Sequence, residues 1–324
     1  MPRECSAPQH QLLVVRNSKR GNKLPSLLVE NPINWVKYEV QFIGLFKLSM
    51  EILNDEIEKK IQNDIINNIL QKEYDLAISN ITNILDELYD NIPDNKRISY
   101  GRVHTIKVLS EYLYSRLIEI EAPVYEIASH IFNKSDNFKS KGVSLGMLSF
   151  YGLNDYIKVL PYFESAAVSS DWNMRELSSI LFRKLIKKYP DEMKEYLLQL
   201  VKSDNPNIRR FVGETLRPVQ ENRWFYNNPD YPLSILKNMF KESSPYPRTS
   251  VGNNLSDLAR RLPDLIYDLV RELVDSGDKN SYWIAYRACR NLVKKEPIKV
   301  MDLLKVDEYK YKKRVHKRND YQRN

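Results

Sequence analysis

The stretch RRLPD, residues 260–264, has two close counterparts in the same chain, KKYPD at 187–191 and KKEP at 294–297. Each follows a segment with apolar residues at three- and four-residue spacing, which is typical of an amphipathic helix. Two cations at the end of a helix complement its negative dipole end, and a nearby proline can open the next helix but cannot continue the first. The stretch therefore predicts a pair of helices that recurs along the second half of the chain.

A second register comes from the beginnings of the helices in this half. Aligning Met174, Ile208 and Pro247, near the starts of WNMREL, NPNIRRFV and YPRTSV, gives steps of 34 and 39 residues. In this alignment the basic pair falls 13 and 14 positions later in both the first and the third unit. A further unit that begins near Tyr282 fits this register only loosely.

A repeat of this length, with two helices per unit and no strands, is typical of HEAT or armadillo solenoids. The predicted fold class is therefore all-α, a HEAT-like α–α superhelix in which stacked repeats share one core. One helix of each pair would line an extended concave surface. We assign that position to the segments 172–188, 205–217, 246–262 and 280–295.

Around these repeats the chain divides by composition and periodicity. We expect a basic mobile tail at 1–24, an N-terminal helical region at 25–135, the HEAT-like region at 136–305 and a basic tail at 306–324. No motif with defined chemistry is found before the repeats. The N-terminal helical region therefore has no assigned role.

Charge is unevenly distributed between the two halves of the chain. The whole sequence has 50 Lys and Arg against 42 Asp and Glu, a net charge of +8. Residues 1–170 hold 19 cations against 21 acids, whereas residues 171–324 hold 31 against 21. A basic second half favours a polyanionic partner such as nucleic acid, although charge alone is a weak signal.

The sequence gives little support for a metal site, a disulfide framework or a membrane-spanning segment. The only cysteines, Cys5 and Cys289, form neither a disulfide framework nor a metal site, and the four histidines lack ligand spacing. No apolar run approaches the length needed to span a bilayer. We expect a cytoplasmic protein without metal or cofactor.

Three acids stand out on the assigned lining helices: Glu176, Glu214 and Asp257. They lie at +2, +6 and +10 from the aligned starts, so each is shifted by about one helical turn and the three would form a diagonal across neighbouring helices. The cations predicted to surround them are Arg175, Arg209, Arg210, Arg217, Arg248, Arg260, Arg261, Arg287, Arg290 and Lys294, and the predicted aromatic packing groups are Trp172, Trp224, Trp283 and Tyr286. Taken singly, each acid is most simply read as one half of an ordinary ion pair.

Three ordered motifs resemble one known family. IRRFVGETLRP at 208–218, SPYPRTSVGNNLSDLARRLPD at 244–264 and YWIAYRACRNLVKKEP at 282–297 are similar to DNA alkylation repair glycosylases of the AlkC type, relatives of the AlkD-type enzymes. The resemblance covers roughly residues 140–305. It implies a C-shaped solenoid with a basic concave groove that holds duplex DNA and removes N-alkylated bases such as 3-methyladenine. It also implies that the three acids match the acidic cleft positions of the family.

The chain departs from the family pattern at several positions. The order around the central acid is Gly213-Glu214-Thr215, Trp224 comes later than its counterpart, and Tyr286 stands where the family tends to have a basic residue. No immunoglobulin-like extension of the kind some relatives carry is evident.

The expected function is that of a monomeric DNA glycosylase acting on double-stranded DNA that contains alkylated bases. Alkylation makes the base cationic and weakens its glycosidic bond, so carboxylates need only stabilise an oxocarbenium-like sugar and orient a water. Asp257 or Glu214 would do this, Glu176 would shape the field, and the arginines would neutralise phosphates. Two alternatives stay open: a non-catalytic HEAT-repeat protein that binds damaged, bent or branched DNA, and a HEAT-type scaffold that binds an acidic protein.

Overall fold

Residues 52–97 and 101–321 are those that the structure, a computed structural model, describes. They belong to a single unit, Leu48–Asn324. The predicted basic tail at 1–24 lies outside the described residues, as does the first part of the predicted N-terminal helical region.

The described part of the N-terminal region consists of helices, as the periodicity predicts. A π-helical turn, Ile61–Ile66, joins α1 to α2. The helices are α1 Asp55–Lys60, α2 Asn67–Leu70, α3 Tyr74–Asp90, α4 Asp94–Arg97, α5 Arg102–Glu119, α6 Val124–Lys134 and α7 Phe138–Tyr151.

The repeat region continues as pairs of helices. Two short 3-10 segments, Gln220–Tyr226 and Lys237–Met239, flank α12. The helices are α8 Tyr156–Ala167, α9 Trp172–Lys188, α10 Pro190–Leu200, α11 Pro206–Thr215, α12 Asp230–Leu236, α13 Pro245–Leu258, α14 Pro263–Asp275, α15 Lys279–Ala288 and α16 Pro297–Leu304.

Helices α9, α11, α13 and α15 pack side by side in sequence order, and we call them the helix row. Helices α8, α10 and α14 pack against the row and form a second layer, which α12 and α16 extend by packing on α10 and α14, while α7 packs beside α9. The row consists of the four segments that the sequence assigns to the lining. Within the described residues this is an all-α helical-repeat fold, so the predicted fold class is confirmed.

The starts of the row helices lie 34, 39 and 34 residues apart. Side-chain caps set three of these starts: Asp171, Asn205 and Asp278 each accept a hydrogen bond from the backbone N–H two residues later, at 2.8 to 2.9 Å. Such caps satisfy N–H groups that have no partner within the helix. The fourth unit therefore begins at Lys279, one residue before the predicted lining segment 280–295, and it keeps the 34-residue step.

Of the three basic motifs, only the pair Lys187 and Lys188 lies at the end of its helix, α9. Proline is the first residue of α10, α14 and α16, so each motif does open the next helix. However, α13 and α15 end four and seven residues before the predicted 262 and 295. Arg260 and Arg290 donate their backbone N–H to the carbonyl three residues earlier, at 3.3 Å, which tightens the chain into turns.

Aromatic rings join the two layers of the core. Phe163 on α8, Phe182 on α9 and Phe211 on α11 are buried and pack edge to face, with ring centroids 5.2 and 5.1 Å apart. Burial of one such ring contributes about 2 to 3 kcal/mol to folding. The core is thus continuous from one repeat to the next, as a solenoid requires.

The predicted basic tail at 306–324 contains ordered structure that the sequence analysis missed. Strands β1 Glu308–Tyr311 and β2 Arg314–Lys317 form an antiparallel hairpin, which is followed by a 3-10 turn at Arg318–Asp320. The sequence analysis assigned no strand to this segment, in which Tyr309 is buried and Tyr311 is half-buried on one face of the hairpin. None of the helices described has the length and apolar character to span a bilayer.

Candidate functional site

At the N-terminal ends of α9 and α11, an arginine is bonded to the loop that precedes its own helix. The Nη1 of Arg175 donates to the carbonyls of Ser169 and Ser170 at 2.6 and 2.9 Å. Arg209, 34 residues later, makes the same two bonds to the loop residues 203–204 at 2.7 and 3.0 Å. The sequence repeat is therefore also a repeat of side-chain bonding, in which these arginines brace the loops.

Arg209 also bridges to the next repeat. Its Nε and Nη2 donate to the two carboxylate oxygens of Glu242 at 2.6 and 3.0 Å, and Glu242 accepts from the Ser244 N–H at 2.8 Å. Burial favours a higher pKa for Glu242, but Arg209 and the Ser244 N–H hold the pKa below its ordinary value. Arg209 was predicted to contact DNA, and the structure places its guanidinium in a bond network that joins α11 to α13.

Arg248 has a similar position at the N-terminal end of α13. Its Nη1 donates to Asn280 Oδ1 of the next row helix at 2.5 Å, and its guanidinium lies 4.7 Å from the ring centroid of Trp283. Arg287 also lies over the Trp283 ring, 5.5 Å from its centroid. Trp283 is thus covered by two arginines and joins adjacent helices.

Asp257, at the C-terminal end of α13, is surrounded by three arginines, which together with it we call the Asp257 cluster. Arg217 donates to Oδ2 from Nε and Nη2 at 3.0 and 2.6 Å. Arg290 donates to Oδ1 at 3.0 Å, and Arg260 lies 3.3 Å from the same oxygen. Asp257 is only 1% exposed, whereas the Arg260 side chain is 59% exposed. The carboxylate therefore lies beneath cations that reach the surface.

Glu214 adds a second acid beside this cluster. It is buried, accepts from the Ser250 hydroxyl at 2.7 Å, and lies 3.5 Å from Arg217 Nη1. Burial opposes the charge on Arg217, but Asp257 and Glu214 outweigh it and raise the Arg217 pKa. Two acids among three arginines leave a net positive charge.

Glu176, the third acid, lies on α9 and is the most exposed of the three, with 35% of its side chain accessible. It is paired with Arg210 of α11, whose guanidinium is buried and lies 4.4 Å from the Tyr246 ring centroid. Each of the three acids thus has a partner in the next repeat. Glu176 and Glu214 are bonded to the next row helix, and Asp257 is bonded to the turn that follows the next row helix. They occupy consecutive row helices, as the predicted diagonal requires.

Three cations at the C-terminal ends of the row helices, Arg260, Arg261 and Lys294, are exposed, whereas the arginines at the N-terminal ends are half-buried. Arg290, with 16% of its side chain exposed, is as buried as Arg209. Arg261 lies 4.8 Å from the Tyr226 ring centroid, and Lys294 donates to Asn291 Oδ1 at 2.9 Å; both side chains are exposed. We define the C-terminal cationic face as Arg217, Arg260, Arg261, Arg290 and Lys294.

The four predicted aromatic groups divide into one exposed ring and three packed ones. Trp172, the first residue of α9, is 62% exposed. Trp224 packs against Phe225, with ring centroids 4.6 Å apart, and Tyr286 stacks on Tyr309 at 4.4 Å. Trp283 is the ring covered by arginines.

Sequence reasoning missed several polar residues that join the row helices. Buried Arg183 donates to the Glu214 carbonyl at 3.0 Å, and Asn253 accepts from both Arg287 and Arg290, at 2.9 and 2.8 Å. The signal was the dipeptide Asn253-Asn254 inside a helix, where asparagine is unfavourable unless its amide has a partner.

Gly213, one of the departures from the family pattern, has a packing role. A Cβ at this position would lie 2.8 Å from the Ser250 Cβ, closer than side chains approach one another. The glycine thus allows α11 and α13 to pack closely enough for Ser250 to reach Glu214.

No group of three or more His, Cys, Asp or Glu is placed to hold a metal ion in the described part of the chain. Cys289 is fully buried, and burial raises the pKa of its thiol to about 12, so it acts as a packing group.

Comparison with protein-family models and with curated proteins found no match. Among solved structures, the chain is similar to AlkD2 from Streptococcus mutans, with 20% identity, a TM-score of 0.44, and coverage of 52% of this chain and 80% of that one. It is also similar to smu.31 from Streptococcus mutans UA159, with 18% identity, a TM-score of 0.47, and coverage of 57% and 98%.

A third similar structure is the Pseudomonas fluorescens alkylpurine DNA glycosylase AlkC bound to DNA containing an abasic site analog. Its identity to this chain is 17%, the TM-score is 0.47, and the match covers 80% of this chain and 65% of that one. At these identities the likeness concerns the fold alone.

Proposed function

We propose that this protein binds double-stranded DNA at the C-terminal cationic face and hydrolyses the N-glycosidic bond of cationic, 3-methyladenine-like bases. The observation that carries the proposal is the Asp257 cluster, a buried carboxylate under arginines of which one is more than half exposed. Exposed guanidinium groups are suited to bind phosphates, and a carboxylate with little access to water is suited to stabilise a sugar cation.

The first step is recognition of the DNA backbone. Phosphates compete for exposed cations and release counterions from the DNA, so binding falls steeply with salt. Arg260 has the longest contact to Asp257 of the three arginines and the most exposed side chain. We infer that Arg260 transfers to a phosphate when DNA binds, which leaves Asp257 with less compensation for its charge.

The second step is bond cleavage. The C1′–N bond breaks and its electron pair neutralises the cationic base. A water oxygen then bonds to C1′ and releases one proton to the solvent. Because the base leaves as a neutral molecule, no strong general acid is needed. Asp257 would stabilise the sugar cation electrostatically, and Glu214 would add to the negative potential. Glu176, two row helices away from Asp257, would shape the electric field of the site.

The test is release of methylated purines from methylated duplex DNA by the wild type, Asp257→Asn, Glu214→Gln and Glu176→Gln. Glu195→Gln is the matched control, because Glu195 is exposed on the second-layer helix α10. We expect wild-type release, loss of at least about 100-fold in Asp257→Asn with DNA binding retained, and no change in the control.

A second candidate is a DNA-binding protein without catalysis. One observation favours it: each of the three acids already has a partner, which is an arginine for Asp257 and Glu176 and a serine hydroxyl for Glu214. A carboxylate whose charge is already compensated stabilises a sugar cation less. It predicts salt-sensitive DNA binding with no base release by any variant. Absence of both binding and release would exclude both candidates and favour a protein-interaction scaffold.

A further inference from the structure

A cavity of about 630 Å³ lies between the C-terminal hairpin and the end of the helix row. Its cationic lining residues are Arg260, Arg290, Lys294, Lys312, Lys313 and Arg314, and none of the lining residues is acidic. Two of these cations, Arg260 and Arg290, also belong to the Asp257 cluster. The cavity therefore continues the C-terminal cationic face.

The hairpin wall of the cavity is firmly attached to the row. Tyr309 is buried, stacks on Tyr286 at 4.4 Å and donates its hydroxyl to the Tyr286 carbonyl at 2.9 Å. The Lys310 N–H donates to the Tyr286 hydroxyl at 2.7 Å. At the other end, Arg318 donates to Asp302 at 2.5 Å. A wall anchored at both ends can hold side chains in place for a ligand.

The register of the hairpin directs one face into the cavity. Tyr309 pairs with His316 and Tyr311 with Arg314, and directly opposed residues in an antiparallel pair lie on the same face. All four line the cavity. The electrostatic potential at Tyr311 is positive. Burial favours a higher pKa for its phenol, but Arg290, Arg287 and Lys312 outweigh burial and lower that pKa.

The turn of the hairpin consists of two lysines, Lys312 and Lys313. Lys312 has a φ of 55°, in the left-handed region where asparagine or glycine is preferred in two-residue hairpins. A lysine is therefore unfavourable for the backbone at this position, while its charge adds to the cavity.

We propose that this cavity holds a backbone phosphate of a DNA strand that extends beyond the Asp257 cluster, with the two-lysine turn as its outer wall. The cavity volume lies within the range of sites that hold a small ligand or a nucleotide. Its cations suit phosphate, and its tyrosines offer rings beside the sugar or base. This inference rests on the proposed function, because it takes DNA to be the partner.

The variant Lys312→Gly/Lys313→Asn tests the inference, because glycine at the first central position suits the positive φ of Lys312 and the variant removes two charges without straining the turn. The matched control is Lys237→Gln/Lys241→Gln, which removes two exposed lysines near the second-layer helix α12. The measurement is the Kd for a fluorescent duplex between 50 and 300 mM salt, with Tm recorded for each protein.

The hairpin variant should have an unchanged or higher Tm, about tenfold weaker DNA binding at low salt, and a slope of log Kd against log salt reduced by about two. The control should behave as the wild type. If the wild type binds the duplex and the hairpin variant has the same Kd, this inference alone is overturned. If the wild type does not bind DNA, the proposed function and this inference are both overturned.

A second arm separates a strand phosphate from a free small ligand. Inorganic phosphate and deoxyadenosine monophosphate are titrated into the wild type by calorimetry. No binding at millimolar concentration agrees with a strand phosphate, whose affinity depends on the rest of the duplex. Tight binding of either small anion, lost in the hairpin variant, would overturn the assignment to DNA.

Discussion

Arginines have different bonding partners at the N-terminal ends of the row helices and at their C-terminal ends. At the N-terminal ends, Arg175 and Arg209 donate to loop carbonyls and Arg209 also binds Glu242. At the C-terminal ends, Arg217 and Arg260 surround Asp257 and keep 30% and 59% of their side chains exposed. A cation near a helix N-terminus opposes the dipole and needs such partners, whereas one near a C-terminus is favoured by the dipole. The exposed cations at the C-terminal ends, Arg260 above all, are therefore more available to a ligand than the bracing arginines, whereas Arg290 is as buried as Arg209.

The largest expected effect is on the buried acid of the C-terminal ends. Asp257→Ala leaves Arg217 and Arg290 without their shared partner, so we expect a loss of about 3 to 5 kcal/mol in the free energy of unfolding. Urea denaturation measures it. The matched control is Asp268→Ala, which removes an exposed acid that pairs with Arg271 at 2.8 Å and should change stability by less than about 0.5 kcal/mol. Equal effects would contradict the view of Asp257 as the centre of a buried network.

A smaller effect is expected from breaking the brace at the N-terminal ends. Arg209→Met leaves Glu242 buried without its cation, at a cost of about 2 to 4 kcal/mol near neutral pH. Arg260→Met, the counterpart at the C-terminal ends, should cost less than about 0.5 kcal/mol because Arg260 is exposed.

The cost of Arg209→Met should also depend on pH. The pKa of Glu242 is lowered in the native state, so its contribution is present above the ordinary value of 4.5 and is lost as pH falls through the lower, native pKa. The gap between wild type and Arg209→Met should therefore narrow below about pH 4.5, as measured by urea denaturation over pH 3 to 7. A gap that stays constant over this range would contradict the role of the ionised pair.

The positions of many helices in the repeat region can be predicted from the sequence, because helix caps, prolines and basic pairs act within a few residues. The row helix α9 and the prolines that open α10, α14 and α16 are where the pattern predicts them. The bonding of each arginine could not be predicted, since Arg209 and Arg260 look alike in a linear pattern and their partners lie in other repeats. The hairpin was missed for a similar reason: its buried face depends on Tyr286, which is 23 residues from Tyr309.

The assignment of the catalytic acids stays a prediction. Sequence spacing placed Glu176, Glu214 and Asp257 on consecutive row helices, and the structure has them there. Their burial depends on packing between repeats, which spacing does not encode. Spacing alone therefore could not distinguish the fully buried Asp257 from the half-exposed Glu176.

The proposed DNA-binding surface lies at the C-terminal ends of the row helices, and a charge-matched pair of variants tests this placement most directly. Arg260→Gln and Arg175→Gln each remove one cation, from the C-terminal and the N-terminal end respectively. The measurement is the salt dependence of Kd for a methylated duplex, by fluorescence anisotropy. We expect Arg260→Gln to reduce the slope by about one and weaken binding, and Arg175→Gln to leave both unchanged. The reverse result, or equal losses in the two variants, would contradict the account.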